Sequence, residues 1–370
     1  MATFLVKNAW EGDLTGDLNK NNRFVFENGG ATSVTGGKKV DVVNVANGTI
    51  NGLIDLGNGN DKVVLTDANV HGTIDLGAGN DVLVATRSNI AAVDAGNGND
   101  RVTLTESNAN GLVDLGNGND RVVLNSSNLS QGLDTGEQND VVVVNGNSNV
   151  NGVLDLGGGA DRLIVNGGNV TTVDAGDGTD IVTIRSDANV NSVDLGDGGT
   201  KSKPQKLTSD VRVDVTSGDG VDVVLLRAGS NKVETGGGND KVTVLGTQSV
   251  NNVDLGDGND VFLSTAGANN MRGGDGKDDI ELRGGGQAFG EDGNDTFTFN
   301  VKKSDGWTQY DGGDDHDSLY IVGLSGSERQ AIIAALQDAD WTAGDGFTFN
   351  DIGLQISDIE KIYLNGNEFV

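Results

Sequence analysis

A short segment of the form Gly-x-Gly-x-Asp recurs, with variations, about every 20 residues along this chain and restricts the folds that it can adopt. A repeat of about 20 to 50 residues is typical of solenoids, in which each repeat packs only on its neighbours. We therefore predict a solenoid with coils of about 20 residues. In the first half of the chain the closing aspartates are Asp41, Asp61, Asp81, Asp100, Asp120, Asp140, Asp161 and Asp180.

Within each repeat, apolar and polar residues alternate, which is the side-chain period of a β-strand. Val63 and Leu65 follow the turn aspartate, and Ile74 and Leu76 precede the next glycine turn. Each coil should therefore carry two short strands that stack on the same strands of the next coil. The predicted fold class is all-β: a right-handed parallel β-roll or β-helix solenoid with capped ends and a short C-terminal helix.

The second turn of each coil is predicted to centre on asparagine, and this row should be structural. Stacked asparagine amides can hydrogen-bond from coil to coil along the solenoid axis. The row consists of Asn69, Asn89, Asn108, Asn128, Asn149, Asn169 and Asn189.

Breaks in the repeat suggest the domain boundaries. Residues 1–31 precede the first repeat and are predicted to cap the first coil, because an open solenoid end exposes sheet edges. Residues 32–322 form the roll, interrupted at 199–209 by a lysine-rich segment with the only proline, which is predicted to be a surface loop. Residues 323–370 form a C-terminal cap and a predicted secretion-signal region.

One segment has helical rather than strand periodicity. Between Ser327 and Asp338, the residues Ile332, Ile333 and Leu336 lie on one predicted helix face. Ser327 is the predicted N-cap.

The composition excludes several classes of function. Acidic residues outnumber basic ones 55 to 25, giving a net charge of −30, and such a surface repels nucleic-acid phosphates. No apolar run approaches the ~18–20 residues of a membrane span. The first 20 residues lack the pattern of a cleaved signal peptide. The chain has no cysteine, which excludes disulfides and thiol chemistry.

The turn aspartates carry the main chemical prediction. Stacked coils bring equivalent carboxylates to about 4.8 Å, where they repel by roughly 1 kcal/mol in water and more at a protein surface. A divalent cation between successive turns would reverse this repulsion. Glycine lets main-chain carbonyls approach the same ion. Carboxylate and carbonyl oxygens without His or Cys form a hard-cation site, and we predict multiple Ca²⁺ ions.

At these turns the chain resembles the RTX (repeats-in-toxin) family, whose calcium-binding nonapeptide is G-G-x-G-x-D-x-U-x with U apolar. The best match is the nonapeptide from Gly273 to Glu281, and Gly290 to Asp295 is a near match. Most earlier coils have Leu, Ala or Thr in place of the first glycine, and only one turn per coil carries the motif. The resemblance therefore implies a single row of ions for most of the roll.

Carried over to this sequence, the resemblance implies a set of ligand residues in the glycine turns. The site near Asp140 is less certain, because its turn lacks the second glycine, and the same holds for Asp317, which has Asp315 in place of the third glycine. The implied aspartate ligands are Asp61, Asp81, Asp100, Asp120, Asp161, Asp180, Asp222, Asp240, Asp260, Asp278 and Asp295. The implied turn glycines are Gly57, Gly59, Gly77, Gly79, Gly96, Gly98, Gly116, Gly118, Gly256, Gly258, Gly274 and Gly276.

A second row of acidic residues should point away from the core, because each lies between two inward apolar residues. Two interpretations stay open: a solvated stripe that prevents aggregation, or a second cation row or calcium-bridged contact. The row consists of Asp55, Asp75, Asp94, Asp114, Asp134, Asp155, Asp174, Asp194 and Asp254, with Glu234 in register.

The resemblance also implies secretion. RTX proteins leave the cell by type I secretion with an uncleaved C-terminal signal, and residues 351–370 resemble such a tail. In that family, low cytosolic calcium keeps the repeats unfolded during export and external calcium folds them. An extracellular or cell-surface location and contact with type I secretion machinery are therefore expected.

Two functions of different classes remain, and we expect no enzymatic activity. The first is a calcium-folded structural protein that self-assembles into a surface layer or extracellular matrix. The alternative is an adhesin that binds a cell-surface polysaccharide through the loop from Lys201 to Lys206 or through Trp307, Tyr310 and Trp341. A third possibility, a β-helix polysaccharide lyase or epimerase, needs a mixed catalytic cluster in one groove, and none stands out in the sequence.

Overall fold

The computed structural model describes residues 2–200, 203–246, 250–265, 268–304, 306–339 and 341–369. Lys201, one end of the predicted glycan-binding loop, lies outside the described residues. The chain divides into two compact units, Met1–Asp194 and Leu195–Val370. Both are all-β, and each is a parallel β-solenoid with coils of about 20 residues, as the repeat predicted.

The first unit contains two stacks of parallel strands. The first stack, here the A sheet, follows the aspartate turns, and the second, the B sheet, precedes them. The A-sheet strands are Ala2–Lys7, Asn22–Glu27, Asp41–Ala46, Lys62–Thr66, Val82–Thr86, Arg101–Thr105, Arg121–Asn125, Val141–Asn145, Arg162–Val165 and Ile181–Ile184. The B-sheet strands are Trp10–Thr15, Gly30–Gly37, Thr49–Ile50, Ile54–Gly57, Asn69–Asp75, Asn89–Asp94, Asn108–Ala109, Val113–Asp114, Asn128–Leu129, Leu133–Asp134, Asn149–Asp155, Gly168–Asp174 and Ala188–Asp194. Two short strands, Gly158–Gly159 and Asp177–Gly178, pair within the glycine turns.

The register explains why one coil repeats the next. Val63 pairs with Leu83, and Ile74 pairs with Val93, so equivalent positions of successive coils lie side by side. Val63 and Ile74, like Leu65 and Leu76, are fully buried, which confirms the predicted inward pairs. The predicted asparagine row is also confirmed, because each side-chain amide donates to the Oδ1 of the preceding asparagine at 2.6 to 3.2 Å.

The second unit has the same construction with one helix added. Its A-sheet strands are Gln205–Ser209, Asp222–Leu226, Lys241–Val244, Val261–Ser264, Asp279–Leu282, Thr296–Asn300, Ser318–Val322 and Lys361–Leu364, with Asn367–Glu368 antiparallel to the last. Its B-sheet strands are Asp214–Thr216, Ser230–Glu234, Gly237–Gly238, Val250–Asp254, Asp257–Gly258, Ala268–Gly276, Gly286–Gly293, Thr308–Asp314 and Leu354–Ser357, with Phe347–Phe349 antiparallel to the last.

Both ends of the chain continue the coils. In the predicted N-terminal cap, the strand Ala2–Lys7 pairs in parallel with Asn22–Glu27, which in turn pairs with the strand that begins at Asp41. In the C-terminal region, Lys361–Leu364 pairs with Ser318–Val322 and buries Ile362 and Leu364. The regular repeat of packing therefore extends into segments where the sequence repeat is weak.

The predicted loop at 199–209 is shorter than expected. Thr200 and Lys203 form an antiparallel bridge, but Gln205–Ser209 is an A-sheet strand that pairs with Asp222–Leu226. Gln205, Leu207 and Ser209 are buried. The prediction of a surface loop is therefore wrong for residues 205–209, because their alternating inward side chains complete a coil.

The predicted helix spans Gly326–Asp338 and buries Ile332 and Leu336. Its N-cap is Ser325 rather than Ser327. The Ser325 hydroxyl accepts from the Glu328 amide, and the Glu328 carboxylate accepts from the Ser325 amide at 2.7 Å, which forms a capping box.

Candidate metal centre

The turn aspartates of the first unit form one continuous buried column along the solenoid. The main-chain N–H of Asp100, for example, donates to Oδ1 of Asp120 at 2.6 Å, and each aspartate from Asp41 to Asp161 does the same toward the next coil at 2.5 to 2.7 Å. Asn22 begins the column, and its amide donates to Asp41 Oδ1. We call this the buried aspartate column; its members are Asp41, Asp61, Asp81, Asp100, Asp120, Asp140, Asp161 and Asp180.

The second oxygen of every carboxylate in this column is buried and has no hydrogen-bond partner. An unsatisfied buried carboxylate oxygen costs more than a lost neutral hydrogen bond, and native proteins contain few of them. Here the orphaned atom is Oδ2 in each of the eight coils. Such a regular recurrence indicates that another group binds there.

Burial raises the pKa of the carboxyls from Asp61 to Asp180, because a low-dielectric site disfavours the charged form. The hydrogen bond from the preceding aspartate amide opposes this rise, and repulsion from neighbouring carboxylates adds to it at Asp61 and Asp100. The pKa is raised to about 7 at Asp61, Asp100, Asp140 and Asp180, and to about 6 at Asp81, Asp120 and Asp161.

The second unit contains an equivalent column. Its aspartates repeat the same amide-to-Oδ1 bonds at 2.7 to 2.8 Å, and each Oδ2 again lacks a partner. Burial raises the pKa to about 8 at Asp260. Gln205 occupies the column position next to Asp222, and the Asp317 amide donates to Glu360. The aspartates are Asp222, Asp240, Asp260, Asp278, Asp295 and Asp317.

A serine column at the opposite turn shows that a carboxylate is not needed to cap the stacked amides. Ser107 Oγ accepts the amide of Ser88 at 3.0 Å and donates to the Thr105 carbonyl at 2.8 Å. The same pattern recurs at Ser127, and these hydroxyls leave no orphaned atom. The buried aspartate column therefore has a second oxygen in excess of its structural role.

Glycine at the first position of the turn leaves a small space beside this oxygen. A Cβ atom on Gly273 would meet Asp278 Oδ2 and would lie 2.7 Å from the Gly290 carbonyl oxygen. A Cβ on Gly36 would likewise meet Asp41 Oδ2 and lie 2.7 Å from the Leu56 carbonyl oxygen. The space thus joins a carboxylate oxygen with a carbonyl oxygen of the next coil. It recurs beside Gly290 and Gly312, while other coils place a buried side chain at the first position.

Within the described residues, no group of three or more His, Cys, Asp or Glu side chains is arranged to hold one metal ion. A cation in these turns would therefore take part of its shell from main-chain carbonyls, as the sequence suggested. The implied glycine pairs have the backbone that this requires. Gly57, Gly77, Gly96, Gly116, Gly256 and Gly274 have φ of 83° to 102°, and Gly59, Gly79, Gly98, Gly118, Gly258 and Gly276 have φ of 134° to 152°.

All the implied aspartate ligands lie in the two columns, but sequence reasoning undervalued three further members. Asp41, Asp140 and Asp317 are as buried as the others and have the same orphaned Oδ2. The repeat spacing already pointed to Asp41 and Asp140. The glycine pattern argued against Asp140, yet Gln138, at the position of the missing glycine, also has a positive φ, of 79°.

Replacing Gln138 with glycine should stabilise the protein by about 1 kcal/mol, because a non-glycine residue at left-handed φ costs about 1–2 kcal/mol. Gln131→Gly is the matched control: Gln131 is also exposed but has no such backbone, so its variant should lose stability. Urea denaturation in saturating calcium would measure both. Equal losses for the two variants would contradict the strain at Gln138.

The outer acidic row lies on the B sheet, as predicted, in register from coil to coil. Its carboxylates are half-buried or exposed. Burial first, and then repulsion from row neighbours, raises the pKa of Asp75 and Asp114, with hydrogen bonding from the Gly116 amide opposing it at Asp114. These side chains do not point into the buried column, because the strand alternation places them on the opposite face.

The aromatic residues proposed for glycan binding differ in their exposure. Tyr310 is fully buried, and its hydroxyl accepts from the Leu282 amide and donates to the Thr298 carbonyl, so it cannot stack on a sugar. Trp307 is 51% exposed, and the indole of Trp341 donates to the Asp345 carbonyl.

No family model matches this chain, and no curated protein matches it, so the RTX resemblance stays a prediction. Among solved structures, the chain is similar to a hyperactive, Ca²⁺-dependent, β-helical antifreeze protein from an Antarctic bacterium. The sequence identity is 20%, the match covers 97% of this chain and 93% of that chain, and the TM-score is 0.48. In the described part of the chain, no helix has the length and apolarity needed to cross a membrane.

Proposed function

We propose that this chain is an extracellular calcium-binding β-solenoid that folds as Ca²⁺ binds and then assembles with copies of itself into a surface layer or matrix. The observation that carries the proposal is the repeated orphaned Oδ2 of the buried aspartate column. The role is structural rather than catalytic.

The donor set favours calcium over other ions. Carboxylate and carbonyl oxygens suit hard cations, and a flexible shell of six to eight oxygens suits Ca²⁺ better than the rigid octahedron of Mg²⁺. The space beside Gly273 supplies one oxygen of each kind, from Asp278 and Gly290. A bound cation would satisfy the orphaned oxygens and offset the repulsion between coils.

Assembly is supported by the outward side chains of the two sheets, which repeat in register from coil to coil. A parallel stack presents the same side chains every ~4.8 Å, so one favourable contact with a second copy is repeated along the coil stack. During export by type I secretion, the acidic coils would stay unfolded until they meet external calcium. Calcium would then drive folding, because it binds the folded coils and not the unfolded chain.

A calcium titration of chelator-treated protein tests both parts of this function. Circular dichroism should show β-structure and a rising thermal midpoint as calcium is added, with a weaker response to equal Mg²⁺. Electron microscopy and sedimentation of the same samples should show ordered sheets or filaments. An unchanged spectrum and midpoint would refute the calcium role, whereas folding to a monomer at all concentrations would refute assembly alone.

Gly290→Ala tests the calcium space directly. Its new Cβ would collide with Asp295 Oδ2 and the Gly312 carbonyl, so we expect fewer bound ions and a calcium midpoint at least several-fold higher. Gly326→Ala is the matched control in the same unit, because a Cβ there meets nothing within 4 Å. Ion counts by native mass spectrometry and calorimetry would measure the difference. Equal calcium binding by both variants would argue against this location.

A further inference from the structure

The two outer faces of the first unit carry opposite charges in matching positions. On the A sheet, one outward column contains cations and no acidic residue. We call it the basic column; its cations are Arg23, Lys62, Arg101, Arg121 and Arg162. On the B sheet, the outer acidic row of this unit faces outward, and we call this part of it the acidic column. It comprises Asp55, Asp75, Asp94, Asp114, Asp134, Asp155, Asp174 and Asp194.

No ion pair within the described residues of the first unit neutralises the basic column or the acidic residues from Asp55 to Asp174. All five cations are exposed and make no salt bridge within the described residues. Arg101 and Arg121 lie side by side in register, as do Asp75 and Asp94. Like charges directly opposite each other on neighbouring strands are destabilising. An oppositely charged surface would offset this cost on both faces.

A partly aliphatic column runs beside each charged column, and the one on the B sheet also contains Thr73, Gly132 and Thr172. On the A sheet, this column lies two residues after the basic column, and its half-buried side chains include Val64, Val84 and Val123. On the B sheet, two residues before the acidic column, Leu53 and Val153 are 43% and 47% exposed. Leu112, at 38%, continues this second column. Each face therefore has a charged edge next to a strip that is apolar in part.

Chain direction places the two charged edges on the same side of the unit. The basic column begins directly after the aspartate turn, as Lys62 follows Asp61, and the acidic column ends directly before it, as Asp75 precedes Gly77. A second copy can therefore be placed by a shift perpendicular to the sheets, without rotation. Its basic column then lies over the acidic column of the first copy. The same shift sets the aliphatic columns over each other.

We propose that the A-sheet face of the first unit docks on the B-sheet face of a second copy of this chain, basic column against acidic column. This interface rests on the assembly function proposed above and gives it a direction. Eight coils span about 40 Å and a strand about 15 Å, so the contact buries about 1,200 Å² in total, at the lower end of stable interfaces. Because the two faces differ, the contact does not close on itself and propagates as an open stack.

Charge exchange between the faces provides the test. Lys62→Glu/Arg101→Glu/Arg121→Glu makes both faces acidic, and Asp75→Lys/Asp94→Lys/Asp114→Lys makes both faces basic. Each variant alone should need at least tenfold more protein to assemble in calcium, measured by sedimentation and electron microscopy. An equimolar mixture should regain wild-type assembly with both variants in equal amounts, because unlike faces then alternate.

The controls separate docking from folding. Lys38→Glu/Lys39→Glu/Arg185→Glu changes the net charge equally but at exposed turn positions, and it should assemble as wild type. If the lysine variant fails to fold, Asp75→Asn/Asp94→Asn/Asp114→Asn takes its place. This neutral variant should assemble more weakly than wild type, and its assembly should depend little on the salt concentration.

Calcium-induced circular dichroism, recorded for every variant, reports the proposed calcium role independently of assembly. If the charge-reversed variants fold with calcium and assemble as wild type, or if the mixture fails to assemble, the docking proposal is wrong. It is also wrong if wild-type protein folds with calcium and stays monomeric. A wild-type protein without a calcium response would overturn the calcium role instead.

Discussion

In the presence of a chelator, the folded fraction of this protein should rise as the pH is lowered from about 8 to about 5. The cause lies in the buried aspartate column, where burial raises the pKa of Asp100 and Asp140 to about 7 from the ordinary value of 3.8. Protonation removes both the buried charge and the repulsion between coils. A proton can thus partly replace the cation.

The sign follows from proton binding in the two states. Between pH 4 and pH 7 the folded chain holds protons on these carboxyls that the unfolded chain has released, so the free energy of unfolding falls as the pH rises through this window. One carboxyl shifted from 3.8 to about 7 changes this free energy by about 4 kcal/mol, and the coupled column will give more than one such contribution. The effect is fully present at low pH and lost above about pH 7.

Saturating calcium should reverse this dependence. Calcium and protons compete for the same oxygens, so acidification weakens calcium binding. Thermal melts followed by circular dichroism from pH 5 to pH 8, with chelator and with millimolar calcium, would show two slopes of opposite sign. All pH values in these melts lie above the sequence pI of about 4.1, because the protein would precipitate near its pI. A chelator series in which stability increases with pH would contradict the assignment.

The variant Asp100→Asn/Asp120→Asn gives the matched test. Asparagine keeps an Oδ1 that can accept the amide of the preceding coil, but it places a neutral amide where the orphaned Oδ2 lies. We therefore expect higher stability than wild type in chelator at pH 7.5, and lower stability than wild type in calcium. Asn22, which begins the column, shows that the stack accommodates this side chain. A loss of stability under both conditions would favour a purely packing role for these aspartates.

The repeat spacing was enough to predict the coils and the column, because both follow from a strict register. A period of about 20 residues with alternating apolar pairs leaves one way to stack, and Val63, Leu65, Ile74 and Leu76 lie buried as predicted. The sequence could not predict that, in nearly all of these aspartates, one oxygen would be bonded and the other orphaned. That division depends on the side-chain rotamer and on the amide of the preceding coil.

Sequence reasoning failed where the motif and the packing diverge. Residues 205–209 contain Lys206 and directly follow the only proline, so they resembled a loop, but inward Gln205, Leu207 and Ser209 complete a coil. At Asp140 the missing glycine argued against a complete turn, although a long polar residue can adopt left-handed φ at moderate cost. In both cases the neighbouring coils impose their register on a local sequence that does not favour it.

The close approach of successive glycine turns gives the second large prediction, for Gly79→Ala. Gly79 has φ 151°, and a Cβ there would overlap the carbonyl oxygen of Gly59 in the preceding coil. The overlapping atom belongs to the main chain and cannot rotate away, so the two coils must separate. The turn must also change its backbone conformation. We expect a loss of at least about 3 kcal/mol in the free energy of unfolding and weaker calcium binding in the adjoining turns.

Gly12→Ala is the control that separates this stacking effect from a general cost of replacing glycine. Gly12 lies in a strand of the same unit, has no positive φ, and a Cβ there meets nothing within 4 Å. Its variant should remain within about 1 kcal/mol of wild type, because alanine also reduces the entropy of the unfolded chain. Urea denaturation in saturating calcium would compare the two variants. If Gly79→Ala were as stable as Gly12→Ala, the glycines would not be required for close stacking, and their recurrence would need a different explanation.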